Sequence, residues 1–441
     1  MRFSKYNEHF EVDGKHYLYN ILSTALAEID TELYTAIAND TPNTLNVELI
    51  NLLKEKHFIV ENELDEVKEY MYFYNSMRFG RGAQVLNIVF IPTYNCNLAC
   101  PYCVQGLDKK FDTISQDAMD SLLKFVEYKV NESRTYGVSI SKLYISLFGG
   151  EPMLTKKQIL PAFCKQINEI AERYNCSLDF TMTSNFTLLD DEVIDLIKMY
   201  NIKVQVSIDG DKEQHNKRRI DSLGRGTYDI IMSNLKKMNL AGLKKNLTIR
   251  INLDRENIDK ADSIMSSVSD MADDIYFGYL DNLKGANDDY STCIKCENYA
   301  DMMNNELVPV YQKYGKIIPH FFGKMTPCSI HCENRFIIDL YLNVYKCELL
   351  INKKEASVGR IEKDGTFSPN SNFYSQMDYA PDKVRQCRNC KMLPLCGGGC
   401  TGKAFVNGND QNMDFNGVSC IMREEDLIKY LKVFVSKKLY Q

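Results

Sequence analysis

Tyr94-Asn95-Cys96-Asn97-Leu98-Ala99-Cys100-Pro101-Tyr102-Cys103 follows directly on the apolar run 85–91, and its reading decides the fold. The three cysteines stand at C-x3-C-x2-C spacing. Three thiolates on one short loop can hold three corners of a cubane iron–sulfur cluster and leave the fourth iron without a protein ligand. Zinc is the competing metal, but structural zinc takes four protein ligands, and no fourth follows locally. An open iron can bind a small molecule, which marks a cluster that reacts rather than only conducts electrons.

The rest of the chain sets the context. Its 441 residues predict two or three domains. An apolar content of 44% and a charged content of 25% describe an ordinary soluble protein. A net charge of −6 gives no general surface for nucleic acid or an anionic membrane, so neither is expected as a partner. Met1-Arg2-Phe3-Ser4-Lys5 lacks the apolar core of a signal peptide, and no run is long enough to span a bilayer. Fifteen cysteines in so large a chain point to metal binding in a reducing cytoplasm rather than to disulfides.

From residue 85 strands alternate with helices. Strands are predicted at 85–91, 143–148, 178–183, 203–208, 247–253 and 274–280, with helices at 115–130, 155–174, 190–199, 228–239 and 258–272. That alternation predicts an α/β fold with a parallel sheet, open or partly closed into a barrel. In such barrels the chemistry sits on loops after strand C-termini, where the cysteine loop lies. The second strand ends in Gly149-Gly150-Glu151-Pro152. Paired glycines allow a backbone to approach closely, and a glutamate can accept hydrogen bonds from an ammonium group.

With these residues together, the chain resembles the radical S-adenosylmethionine enzymes, a family built on a partial (β/α)6 TIM-like barrel with C-x3-C-x2-C after strand one. The resemblance extends to the aromatic Tyr102 and to Gly149-Gly150-Glu151-Pro152. It implies a [4Fe-4S] cluster on Cys96, Cys100 and Cys103, with S-adenosylmethionine on the open iron and Glu151 holding its amino group. It also implies cofactor contacts from Asn185, where Phe186 replaces the family's glycine, and from Ser207 and Asn252. His215-Asn216-Lys217-Arg218-Arg219 reads as a solvated basic loop, with a binding clamp as the alternative.

The last quarter holds Cys328, Cys332, Cys347, Cys387, Cys390, Cys396, Cys400 and Cys420. The run C-x2-C-x5-C-x3-C from Cys387 to Cys400 fits either closed zinc sites or iron–sulfur clusters. It resembles the SPASM domain of radical enzymes that modify peptides. The resemblance assigns Cys328, Cys332, Cys347 and Cys400 to one auxiliary [4Fe-4S] cluster and Cys387, Cys390, Cys396 and Cys420 to a second. Leu342 departs from the family pattern, which has glycine five residues before the third cysteine, and this puts a tight turn there in question. Glu348 is the candidate proton acceptor beside Cys347. Cys164 and Cys176 read as packing thiols, and Cys293 and Cys296 as spare thiols or a dithiol.

The first 80 or so residues read as a separate unit. A hairpin turns on Asp13-Gly14, helices follow at 31–38, 45–56 and 64–77, and a short strand lies at 57–60. That arrangement is winged-helix-like. With no basic helix it is expected to bind a peptide as an added strand, a purely structural cap being the alternative. The expected division is 1–82 for this peptide-recognition domain, 83–285 for the radical core, 286–325 for a bridge and 326–441 for the SPASM domain. The unit in front of the barrel favours a maturase of ribosomally made peptides. The expected reaction is an intramolecular crosslink, a thioether before a carbon–carbon link, in a precursor whose leader the first domain binds. The alternatives are a sulfatase-type formylglycine-generating oxidase, a peptide epimerase and a zinc-stabilised, non-enzymatic peptide scaffold. A flavodoxin or ferredoxin is the expected electron donor.

Overall fold

The computed structural model describes residues 1–80, 84–103, 105, 112–135, 139–280, 299–318, 327–406, 420 and 423–437. Cys293 and Cys296 lie outside them.

The N-terminal segment opens with strand β1 (Arg2–Phe3), the hairpin β2 (Asn7–Val12) and β3 (Lys15–Asn20), and β4 (Leu26–Ile29). The hairpin turns through Asp13 and Gly14, both at positive φ, as a two-residue turn between twisted strands requires. Helix α1 (Thr31–Ala38) starts where the Asp30 carboxylate accepts from Leu33 N, and α2 (Val47–Glu55) where Asn46 accepts from Leu49 N. Strand β5 (Ile59–Val60) returns antiparallel to β1, and α3 (Glu66–Asn75) runs on into a π-turn at Ser76–Gly80. Strand β4 was not anticipated: its four residues carry no alternation long enough to read, and pairing with β3 creates it.

The central sheet follows. Strands β6 (Val85–Phe90), β7 (Lys142–Leu147), β8 (Ser177–Ser184), β9 (Lys203–Ile208), β10 (Leu247–Leu253) and β11 (Asp274–Tyr279) lie parallel and in chain order. Their connections carry α4 (Gln116–Thr135), α5 (Ile159–Arg173), α6 (Asp191–Met199), α7 (Lys212–Arg218), α8 (Tyr228–Leu240) and α9 (Ala261–Val268). One side of each strand packs under the helices: Leu143, Ile145, Leu147, Phe180, Met182, Val204, Val206, Ile249 and Ile251 are all buried in one core. The alternate residues are polar. Ser146 and Thr181 share a hydrogen bond across β7 and β8, and Tyr276 donates to Gln205 across the β9–β11 end. An apolar outer face and a polar inner face are what a sheet curling into a partial barrel presents.

The sheet does not end at β6. Strand β12 (Arg335–Ile338) pairs parallel to β6, and β13 (Asn343–Tyr345), β14 (Gly359–Ile361) and β15 (Phe367–Pro369) continue it as an antiparallel meander, making ten strands. The fold is therefore mixed α/β, with a mostly parallel central sheet of partial-barrel type and smaller N-terminal β/α parts. The tight turn put in question at Leu342 forms. Leu342 adopts φ 66°, its N–H reaches Asp339 O, and the Asp339 carboxylate accepts from Tyr341 N and Asn343 N.

The N-terminal strands share a core with the C-terminal cysteine segment. Tyr6, Phe10, Tyr17, Tyr70 and Tyr74 pack with Cys387, Met392, Leu393 and Leu395 and with Leu427 and Leu431 of the helix Glu424–Ser436. Lys391 pairs with the buried Glu8 at 2.7 Å. No helix of the described residues is long and apolar enough to cross a membrane.

Candidate active site

The loop after β6 is clamped by the end of β7. Gly150 N donates to Thr93 O at 3.0 Å and Glu151 N to Asn95 O at 2.9 Å. A Cβ on Gly150 would stand 2.0 Å from Asn95 O, and one on Gly149 2.5 Å from Thr93 O. The paired glycines are thus needed for the cysteine loop itself to lie against them. On the other side Ala99 N donates to Ile220 O at 2.8 Å. These bonds hold Cys96, Cys100 and Cys103 on one short segment, with Cys100 buried and the others half-buried.

Glu151 is buried and fully engaged. It accepts from Asn185 N at 2.7 Å, Ser184 Oγ at 2.8 Å and Met153 N at 3.0 Å. Burial raises its pKa, and those hydrogen bonds oppose the rise. Asn185 links the end of β8 to the cysteine loop: its Nδ2 donates to Asn97 Oδ1 at 2.8 Å and lies 3.6 Å from Cys96 Sγ, while Thr187 holds its Oδ1. Phe186, in the glycine position, has φ 62° and is fully buried, so packing holds a non-glycine residue in the left-handed region.

A second network lies under Cys100. The Tyr102 hydroxyl donates to the Asp209 carboxylate, and Arg219 donates to the same hydroxyl at 2.9 Å. Asn252 donates to Asp209 Oδ1 at 2.8 Å, and Asn257 to Asp209 O at 3.1 Å. Ser207 lies on the inner side of β9 in register with Arg250. Asn257 escaped the sequence reading; Ser184 and Asp209 lie at the C-terminal ends of β8 and β9 beside the predicted Asn185 and Ser207, and Arg219 was read as part of a basic loop. The solvated-loop expectation for 215–219 is overturned. His215, Arg218 and Arg219 are 0%, 3% and 8% exposed, because α7 turns them inward where Asp209 and Asp254 supply buried counter-charges.

The C-terminal cysteines gather in two sets. Burial raises the Cys347 thiol most, and Cys328 and Cys400 add to the rise; Cys332 is raised by burial and also feels Cys328. Burial pushes Cys387 up to about 11, with Cys396, Cys420 and Cys390 adding. Lys346 is buried beside the first set, donating to Cys332 O, Glu333 O and Arg335 O at 2.7, 2.9 and 2.7 Å. Three carbonyl acceptors take all three ammonium hydrogens, although burial pulls its pKa down to about 7. Glu348 forms an ion pair with Arg335.

The donor chemistry suits the implied groups. Cys96 Sγ accepts from Leu98 N at 3.4 Å and Cys400 Sγ from Lys403 N at 3.3 Å, the N–H to sulfur bonds that tune iron–sulfur thiolates. Among the described residues no three His, Cys, Asp or Glu side chains converge on one ion, whereas a cluster spreads its thiolates over separate irons. Beside Tyr102, Arg219 Nε and Asn252 Oδ1 are buried without a partner, so polar valence is left unused next to the cysteine loop.

Residues 90–268 match the radical SAM superfamily. The cysteine-type anaerobic sulfatase-maturating enzyme of Clostridium novyi is 23% identical over 346 residues, 72% of this chain and 89% of that one. The serine-type enzyme of Bacteroides thetaiotaomicron is 21% identical over 356 residues, 73% and 83% of the two chains. In structure, native anSMEcpe with bound AdoMet gives a TM-score of 0.61 at 18% identity, covering 81% of this chain and 98% of that one. SuiB of Streptococcus suis bound to the precursor peptide SuiA gives 0.51 at 13%, covering 92% and 97%. At these identities the structural likeness is one of fold.

The expected crosslinking function is overturned by the relatives, whose best-supported similarity is to sulfatase-maturating enzymes. That expectation leaned on the segment ahead of the barrel. A peptide-presenting segment constrains delivery and leaves the bond chemistry undetermined. Residues 90–268 place the central region of the chain in the radical S-adenosylmethionine superfamily, and the chain is similar in sequence to sulfatase-maturating enzymes and in fold to anSMEcpe and SuiB.

Proposed function

We propose that the protein oxidises a cysteine or serine side chain of a peptide segment to the aldehyde of formylglycine. The observation that carries this reading is the similarity to sulfatase-maturating enzymes, which runs through 89% of the Clostridium novyi chain. Serine conversion removes two hydrogens; cysteine conversion also exchanges sulfur for a water oxygen and releases hydrogen sulfide.

In this reading Cys96, Cys100 and Cys103 hold a [4Fe-4S] cluster, and the pocket formed by Tyr102, Asn185, Ser207, Asn252 and the Gly149-Gly150-Glu151 turn holds S-adenosylmethionine. When bound, the pair supplies one-electron hydrogen-atom abstraction, which no side chain can perform. The chain's own residues position and shield it. Glu151 ties β7 to β8 beneath the loop, and Asp209 aligns Tyr102, Arg219 and Asn252 around one buried carboxylate. The two C-terminal sets would hold auxiliary clusters. Glu348, adjacent to Cys347 and paired with Arg335, is the candidate to take the substrate's proton. The N-terminal segment would present the peptide, and a flavodoxin or ferredoxin would deliver electrons.

The test is anaerobic incubation of the reconstituted protein with S-adenosylmethionine, dithionite and matched peptides bearing cysteine, serine or alanine at one position. Expected is a product that captures an aldehyde-specific hydrazide from the cysteine or serine peptide only. S-adenosylmethionine cleavage with every peptide left aldehyde-free would overturn the reading.

A further inference from the structure

The barrel interior contains a cation that the networks above leave unneutralised. Arg218 is paired with Asp254 and Glu256, and Arg219 with Asp209. Arg250, on β10 between Ser207 of β9 and Tyr276 of β11, has no carboxylate at ion-pair distance among the described residues, and its Nε is buried without a hydrogen-bond partner. The Tyr276 hydroxyl, which donates to Gln205, shares a side-chain hydrogen bond with this guanidinium.

The guanidinium also has a defined direction. A Cβ at Gly278 would lie 2.5 Å from Arg250 Nε and 3.1 Å from Cζ and Nη2. Gly278 is the register partner of Asn252, two residues further along the strands toward their C-terminal ends. Arg250 therefore leans over Gly278 toward the mouth that carries Asn252, Asp209 and the cysteine loop. A glycine here makes room for a guanidinium, and a half-buried guanidinium with no counter-ion among the described residues is an incomplete pair, since its desolvation is only partly compensated. Its planar donor fork matches a carboxylate in two parallel hydrogen bonds.

The geometry points to Arg250 as the anchor of a carboxylate bound in the barrel mouth, with Gly278 as the residue that lets it reach. The carboxylate belongs to an acidic residue of the peptide. This assignment rests on the mouth being the reaction site, and it is independent of whether the product is an aldehyde.

Two binding measurements on the reconstituted protein test the assignment. Fluorescein-labelled cysteine peptides differing only in Glu or Gln near the cysteine are titrated by anisotropy, and S-adenosylmethionine by calorimetry. For a peptide carboxylate, the wild type prefers the Glu peptide by about tenfold. Arg250→Gln and Gly278→Val lose that preference, Arg250→Lys keeps part of it, and S-adenosylmethionine affinity is unchanged in all three. If the same variants instead weaken S-adenosylmethionine by about tenfold and treat both peptides as the wild type does, the assignment to the peptide is overturned. Variants that melt as the wild type does, yet change neither affinity, would overturn the assignment. If Arg250→Gln fails to fold, Gly278→Val decides on the same criteria.

Discussion

The first cysteine loop and the first C-terminal cysteine set are held in different ways. Around Cys96, Cys100 and Cys103 the restraint is backbone on backbone: Gly150 and Glu151 bond directly to Thr93 and Asn95, and glycine is required because no side chain fits between. Around Cys328, Cys332 and Cys347 there is little regular structure, and buried charged side chains tie up the loop carbonyls. Lys346 caps three of them, and Arg78, from the π-turn after α3, donates to His331 O, Tyr379 O and Met377 O. A backbone clamp is stiff and local. A clamp of buried cations joins segments far apart in sequence, and its loss leaves several carbonyls unpaired together.

The sharpest way to break the comparison is Gly150→Ala. A Cβ placed 2.0 Å from Asn95 O meets backbone, so the loop itself must move. The expected outcome is loss of iron from the first loop alone and a fall in S-adenosylmethionine cleavage of about a hundredfold or more, as misplacement of reacting groups brings. Iron content and electron paramagnetic resonance check this; equal loss of iron at all sites would show that the clamp is not local.

Lys346→Ala tests the other region. It strands three carbonyls that Lys346 now satisfies, at about 3 kcal/mol or more of stability. The expected loss is of auxiliary iron and melting temperature, with the cysteine-loop iron retained. Lys346→Met, which keeps the packing against Phe336 and Phe373, should recover part of the stability and none of the carbonyl bonds.

These two regions also differ in how far they could be read from sequence. All six central strands were legible because parallel strands under helices are short apolar runs, and the C-x3-C-x2-C loop with Gly149-Gly150-Glu151 was legible because its parts lie at successive strand ends. Asp209, Arg218 and Arg219 were not. A basic run beside a helix looks solvated until the fold brings Asp209 and Asp254 underneath it, and those partners are distant in register. Lys346 and Arg78 were invisible for the same reason, since carbonyl acceptors leave no trace in residue identity. The N-terminal segment looked separate because its shared core with Leu393, Leu427 and Leu431 spans nearly the whole chain.

A smaller effect probes the network under Cys100. Burial lowers the His215 pKa from 6.5 to about 4, against the pull of Asp209 and with the help of Arg219. Between those values the unfolded chain takes up a proton that the folded chain refuses, so stability falls as pH falls from 6.5 toward 4, by up to about 3 kcal/mol. His215→Gln should flatten that part of the pH dependence. Urea midpoints at the two ends of the window measure it, and an unchanged difference between them would remove His215 from the account.

The smallest effect distinguishes a strained turn from a relaxed one beside the auxiliary set. Leu342 is 7% exposed with φ 66°, so its side chain adds burial while its backbone stands where a Cβ is unfavourable by about 1–2 kcal/mol. Removing the side chain loses about 2–3 kcal/mol of burial in either Leu342→Ala or Leu342→Gly. Only glycine recovers the backbone term. The expected order is therefore the reverse of the usual one within regular structure: the glycine variant should unfold at higher denaturant than the alanine variant, by about 1 kcal/mol. If alanine proves the more stable, the Asp339 carboxylate, which accepts from Tyr341 N, Asn343 N and the Tyr94 hydroxyl, holds the turn so firmly that the left-handed residue adds no measurable strain. That result would move the region closer in kind to the backbone clamp at the first cysteine loop, to which Tyr94 joins it.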